Sequence, residues 1–312
     1  MTGFVDNLDH IGIVVPDLEA AAAAYERLGF RLTPVQQQAG PLTPDGPVVP
    51  WGSANRCAML EDGYLEIIGI VDPALYDNEL GRFLARYHGI HIMALGVADA
   101  AAQVPRLREA GLATPGVRPM RRNVATATGE AEVRFKRVPL ADAPEGRIQL
   151  IEHETPELMW QDRLLDHPNR VVALLETVLC VADLASAEDR YRRLTGIVPL
   201  RHGRARIFAF AGGRLVLCDP PSLGDFMTAE FIAGAPPTLP WFAGFSVATD
   251  DGNAAARRIL RANGIAHAEH GGALVVGAEE TAGAICRFQP HPPSPRRARN
   301  ATLAASAQKE GQ

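Results

Sequence analysis

The chain is poor in the features that mark several protein classes. It has four cysteines in 312 residues, Cys57, Cys180, Cys218 and Cys286, and no two of them stand at a metal-binding or redox spacing. That excludes a disulfide framework and a cysteine-based zinc module, and leaves them as reduced, buried, small hydrophobic residues. No run reaches the roughly 18 apolar residues of a membrane span. Met1 to Asn7 lacks the basic-then-apolar layout of a signal peptide. Positive charge is not in excess either. The net charge is -5, which argues against nucleic acid or an anionic membrane as main partner. A cytoplasmic, globular protein with a small-molecule partner, monomeric or homodimeric, is the expectation. With 47% hydrophobic residues it has enough apolar side chain for two domains.

What the chain does have is an internal repeat. The stretch Leu8-Asp9-His10-Ile11-Gly12-Ile13-Val14-Val15-Pro16-Asp17 reads as a strand running into a helix cap, and its pattern returns three times. The copies end at Asp99, Asp183 and Asp250. Each is followed by an Ala- and Arg-rich run that stops at a glycine: Gly29, Gly111, Gly196 and Gly264. A repeat of this length is a supersecondary module. The expected order is β-α-β-β-β. In module one a helix spans Leu18–Leu28, a strand begins at Phe30-Arg31-Leu32, 36–50 is a surface loop, and a hairpin turns at Glu61-Asp62-Gly63. In module two Pro105 places the helix start close to itself. The fold class is α+β: four βαβββ modules arranged as two paired-module domains with curved mixed sheets. The expected boundaries are 1–153, a linker at 154–169, 170–290, and a disordered Pro/Arg/Ser/Ala-rich tail at 291–312.

Period-two alternation puts His10 on one face with Gly12 and Val14, and Glu66 on one face with Tyr64 and Ile68. The matching residues of module two are His91 and Glu152. Two imidazoles and two carboxylates from four strands around one cleft suit a divalent ion (Ni, Zn, Co, Mn or Fe), with two positions left for water or substrate. By the same register modules three and four offer Glu176, Val216, Phe242 and Gln289, a set that cannot hold a metal tightly. Asn55 and Arg56 are candidate substrate contacts, and Arg56 alternatively pairs with Glu61 or Asp62. His88 reads as solvated, His153 as structural and His167 as ordering the linker. Trp51, Trp160 and Trp241 pack between the halves or line the cleft.

The repeat with His10, Glu66, His91 and Glu152 resembles the vicinal oxygen chelate (glyoxalase/bleomycin-resistance/dioxygenase) superfamily. Asn55-Arg56, Gly63-Tyr64-Leu65-Glu66, Glu157-Leu158-Met159-Trp160 and His167-Pro168-Asn169 resemble bacterial glyoxalase-like domain proteins. The resemblance implies a metal in the paired-module cleft and a metal-dependent isomerase, epimerase or lyase. Such an enzyme abstracts a proton beside a chelated carbonyl, with Glu152, or Glu66, as general base. Val14 and Ile70 stand where glyoxalase I typically has an arginine and an asparagine, so glutathione is not the expected substrate. The alternatives are an Fe(II) extradiol-type dioxygenase and a non-catalytic small-molecule binding protein.

Overall fold

The computed structural model describes residues 4–43, 46–232 and 237–291. β1 (Asn7–Val15) is buried along nearly its whole length, because helices cover one face of the sheet and a cleft lies on the other. Asp17 accepts the Ala20 N–H and starts α1 (Leu18–Arg27), which buries Leu18, Ala21, Ala22 and Tyr25 at helical spacing. Gly29, at φ +86°, lets the chain leave the helix. β2 (Gln36–Pro41), β3 (Val48–Met59) and β4 (Tyr64–Ile70) complete the module. The strand expected at Phe30 to Leu32 does not form. Phe30 and Leu32 instead drop into the core, and Thr33 spends its backbone and hydroxyl on Arg56 and Cys57 of β3. The surface loop expected at 36–50 is in large part strand: its glutamines suit an edge strand paired only with β3.

Module two follows α2 (Leu80–Leu84) and consists of β5 (Gly89–Gly96), α3 (Ala100–Glu109), β6 (Arg118–Thr126), β7 (Gly129–Pro139) and β8 (Arg147–His153). α3 does not wait for Pro105. Asp99 caps it through the Ala102 N–H, and Pro105 lies inside it. The short α4 (Pro156–Met159) lies in the connection to module three, which is β9 (Val171–Cys180), α5 (Leu184–Thr195), β10 (Leu200–His202), β11 (Ala205–Ala209) and β12 (Arg214–Cys218). After α6 (Gly224–Met227), module four is β13 (Trp241–Thr249), α7 (Ala254–Ala262), β14 (His267–His270), β15 (Ala273–Val276) and β16 (Ile285–Pro290). Asp250 is not a cap like its three counterparts: its carboxylate pairs with Arg170. Of the expected tail, residues 292–312 lie outside the described residues.

In every module the first strand pairs in parallel with the last, and the first strands of a module pair run antiparallel, β1 with β5 and β9 with β13. One sheet carries all sixteen strands, and β13 meets β5 at Phe242 and Ile90 to join the halves. The main core draws on all four modules. Two concave faces result. The C-terminal one is filled by an apolar cluster that includes Val178, Val216, Phe226, Met227, Trp241 and Ile285. Phe242, expected in that concavity, belongs to the main core on the other side of the sheet. The N-terminal concavity, between modules one and two, is open.

The floor of the open concavity depends on Gly12. A Cβ there would lie 2.7 Å from Ile92 Cβ, across the β1–β5 pair. Gly12→Val is expected to destabilise the fold by about 2 kcal/mol through overpacking, read as a lower denaturant midpoint. Ile92→Ala in the same chain should recover part of that loss.

Candidate active site

The open concavity encloses about 310 Å3 and is lined by His10, Asn55, Tyr64, Glu66, Ile92, Arg137, Arg147 and Gln149, among others. His10 and Glu66 come from adjacent strands: Tyr64 lies opposite His10 and Glu66 opposite Gly12. In module two the corresponding parallel pair sets Arg147 opposite Ile92 and Gln149 opposite Ala94. Counted from the capping aspartates, His10 stands seven residues before Asp17, and Ile92 seven before Asp99. The equivalents of His10 and Glu66 are therefore Ile92 and Gln149, not His91 and Glu152.

Both module-two residues face elsewhere. Arg147, Gln149 and Ile151 of β8 line the cleft, whereas Ile148 and Leu150 enter the core, so Glu152 lies on the helix side. There its Oε2 accepts the Ala100 N–H at the start of α3, and its Oε1 accepts Lys136 Nζ at 2.9 Å. His91 sits in the irregularity where the β1–β5 register shifts between Gly12 and Ile13. Its ring stacks on Tyr87 at 3.9 Å and Phe83 at 5.0 Å, and its Nε2–H donates to the Tyr87 carbonyl. Burial pulls its pKa down to about 4, so it is neutral, with Nδ1 buried and without a hydrogen-bond partner. Ile90 and Met93 enter the main core, so the irregularity leaves both His91 and Ile92 off that face, and it is Ile92 that lines the cleft while His91 packs on the two rings.

The cleft has a different chemistry from a four-ligand shell. Asp9, at a second irregularity of β1, accepts His10 Nδ1–H at 2.7 Å and His153 Nε2–H at 3.1 Å. Burial alone would raise the Asp9 carboxyl; the hydrogen bonds from the two histidines outweigh it and hold the group far below the usual carboxylate range. His10 stacks on Tyr64 at 4.3 Å, and among the described residues only its Nδ1 is hydrogen-bonded. Asn55 donates its side-chain amide to Glu66 Oε1 at 2.5 Å, while its own Oδ1 and Gln149 Oε1 are buried without partners. Tyr64, buried and close to Asp9 and Glu66, is raised well above the usual phenol pKa. Burial pushes Cys57 up to about 12, so it is not a nucleophile.

Two guanidiniums complete the wall. Arg147 donates to the Asn78 carbonyl and side chain. Arg137 makes no hydrogen bond or ion pair among the described residues, and its Nε is buried. Burial and the like charge of Arg147 bring its pKa down to about 10. Arg56, a candidate substrate contact, is turned away: it pairs with Glu26 at 2.8 Å and donates to the Thr33 carbonyl, and meets neither Glu61 nor Asp62. His167 orders the linker as expected, accepting the Arg31 N–H and donating to the Met59 carbonyl. The role of Asp9 was not read from the sequence. Its place beside His10 was the available signal, because a residue next to a cleft-facing one reaches it only through a strand irregularity.

The donor set does not fit the divalent centre expected from the sequence. His10 and Glu66 are strong ligands, Ile92 offers none, Gln149 offers a neutral amide, and two cations flank Glu66. Among the described residues no three His, Cys, Asp or Glu side chains are grouped to hold a metal ion.

A family model described as a glyoxalase-like domain matches residues 8–197. No curated protein matches the chain. Among solved structures, a hypothetical protein from Staphylococcus aureus aligns with a TM-score of 0.63 at 11% identity, over 91% of this chain and 99% of that one. A triple mutant of 4-hydroxymandelate synthase from Streptomyces coelicolor aligns with a TM-score of 0.57 at 14% identity, over 93% and 94%. A fusion of a xylose isomerase-like TIM barrel with a 4-hydroxyphenylpyruvate dioxygenase aligns with a TM-score of 0.52 at 15% identity, over all of this chain and 53% of that one. At such identities the likeness concerns the fold.

Two predictions test these placements. Ile92→His with Gln149→Glu should create the missing half of a metal shell. Calorimetry at neutral pH should then show one equivalent of Zn or Ni bound at least about 100-fold more tightly than by the unaltered chain. The pair His91→Ala and Glu152→Gln should leave metal affinity where it was. Separately, His91 binds its proton more weakly folded than unfolded. Stability is therefore full above pH 6.5 and falls as pH drops toward 4, by about 3 kcal/mol from this group. Urea titrations across that window should show the fall, and His91→Phe should flatten it.

Proposed function

The chain belongs to the glyoxalase-like domain family of the vicinal oxygen chelate superfamily, and from that membership we propose that its N-terminal cleft is the active site of an isomerase, epimerase or lyase that moves a proton beside the carbonyl of a small 2-oxo or 2-hydroxy acid. Superfamily members include metal-dependent epimerases and dioxygenases and typically bind a divalent metal. The residues of this cleft do not fit that ion, so no step is routed through one, and the same shortage of ligands bears on the iron dioxygenase reading.

The observation that carries the proposal is the pair Arg137 and Arg147 on the same cleft wall as Glu66, with Arg137 making no hydrogen bond or ion pair among the described residues. A confined guanidinium without an anion is costly. A substrate carboxylate supplies the anion and fixes the substrate's orientation. Glu66, steadied by the Asn55 amide, then takes the proton from the carbon next to the carbonyl. The C–H electron pair moves into the C–C bond, and the carbonyl π pair moves onto oxygen to give an enolate. The guanidiniums stabilise that oxygen's charge. His10, aligned by Asp9 through Nδ1–H, acts in its doubly protonated form and gives its Nε2 proton to the opposite side or to the leaving group, becoming neutral. Arg56 and Glu152 have no part in this. The four cysteines are buried and unpaired, in keeping with a cytoplasmic setting. No helix among the described residues is long and apolar enough to cross a membrane. Each concavity is built within one chain, so a monomer suffices and a homodimer is compatible.

Deuterium uptake at C3 of simple 2-oxo acids, the carbon next to the carbonyl, followed by NMR in heavy water, tests the proposal. The unaltered protein should catalyse exchange. Glu66→Gln should lower the rate by about 100-fold or more, and Arg137→Met should raise the apparent KM by about tenfold or more. Prolonged chelation should leave the rate unchanged. Exchange that survives Glu66→Gln, or that disappears on chelation, sinks the mechanism.

A further inference from the structure

We propose that a large basin outside the cleft binds a phosphate-bearing extension of the ligand whose carbonyl end occupies the inner cleft; the identity of that inner end rests on the reading above. The inner cleft, at about 310 Å3, is matched to a small molecule. It shares Trp51, Asn78, Met120, Arg137 and Arg147 with an adjoining basin of about 1260 Å3. A substrate of three or four carbons leaves the basin vacant, so its volume is not explained by the inner chemistry.

The basin's charge is one-sided. Arg82, Arg118, Arg137 and Arg147 line it, and among the described residues Glu79 is the one acidic residue in the lining. Glu79 is already engaged, 3.2 Å from Arg82 and 3.8 Å from Arg147. A fifth lining arginine, Arg86, is spent on the carbonyls of Pro144, Glu145 and Pro240 and is structural. Arg118 and Arg137 have no hydrogen-bond or ion-pair partner among the described residues, and burial, with the like charges of Arg147 and Arg118, lowers the Arg137 pKa. Like charges held on one concave wall focus potential into it and favour an anion of more than one charge. Guanidiniums match phosphate oxygens in geometry as well as sign. Tyr76, 40% exposed and set edge-on to Trp51 at 5.4 Å, gives the same basin an aromatic face.

Two probes separate this proposal from the function on which it builds. Tripolyphosphate reports on the basin and pyruvate on the inner cleft, each measured alone by calorimetry at low and at physiological salt. Tripolyphosphate should bind the full chain with an affinity that falls as salt rises. Arg82→Ala with Arg118→Ala should weaken it by about tenfold or more, while leaving pyruvate binding unchanged. Tripolyphosphate binding with no pyruvate binding would keep the basin and overturn the inner assignment. Pyruvate binding with no tripolyphosphate binding, or tripolyphosphate binding unaltered in the double variant, would overturn the basin. Citrate bound as tightly as tripolyphosphate would also overturn it, by showing a site for any multivalent anion. An unchanged thermal midpoint shows that the double variant is folded.

Discussion

The structure depends on which face each residue of the first and last strand of a module presents. These strands lie side by side and are buried on both faces, one toward helices and the other toward a concavity. Most side chains on them join the core or line the cleft, and period-two alternation decides which. Irregularities in the β1–β5 ladder at Asp9 and at His91 adjust that alternation locally. The first brings a carboxylate to the back of His10. The second moves a histidine out of the cleft and between two aromatic rings. The chemistry of the site follows from these two local shifts.

Much of the fold could be read from the sequence because its signals are local. Asp17, Asp99 and Asp183 cap helices. Gly29, Gly111, Gly196 and Gly264 all take positive φ where those helices end. These residues act within a few positions of themselves, so a repeat of them is a repeat of structure. The site was half legible for the same reason. His10 and Glu66 belong to the module in which the cap spacing and the histidine coincide. In module two they differ by one, and the cap was the sounder ruler because it marks a backbone event. His91 only shares a letter with His10. Other misreadings came from long-range partners. Glu152 was claimed by α3 and Lys136, and Arg56 by Glu26. Pro105 was overridden by a helix whose cap and packing were already in place.

The two concavities can be compared at equivalent positions. Glu176 stands seven residues before Asp183, where His10 stands before Asp17. It is fully buried, and the protein supplies its partners: Arg214 at 2.6 Å, Arg287 at 3.7 Å and the Ser246 hydroxyl at 3.2 Å. Leu223, Phe226 and Met227 then occupy the remaining space. A buried ion pair satisfied in this way persists because removing one member would strand the other. The C-terminal concavity is therefore closed chemically as well as sterically.

The N-terminal concavity has the complementary condition. Its charges are not all satisfied from within. Among the described residues, Arg137 has no partner, Asn55 and Gln149 each hold a buried acceptor without a donor, and no segment fills the space. Folding tolerates such groups when a bound molecule completes them in the working state. The orphans are of both kinds, a cationic donor on β7 and neutral acceptors on β3 and β8. A ligand that satisfies them must carry an anion for the arginines and hydroxyl or amide hydrogen for the acceptors. A plain divalent ion would meet the acceptors and repel the arginines, while a plain carboxylate would do the reverse. A hydroxy acid carries both groups, in keeping with the substrate class proposed for the open cleft.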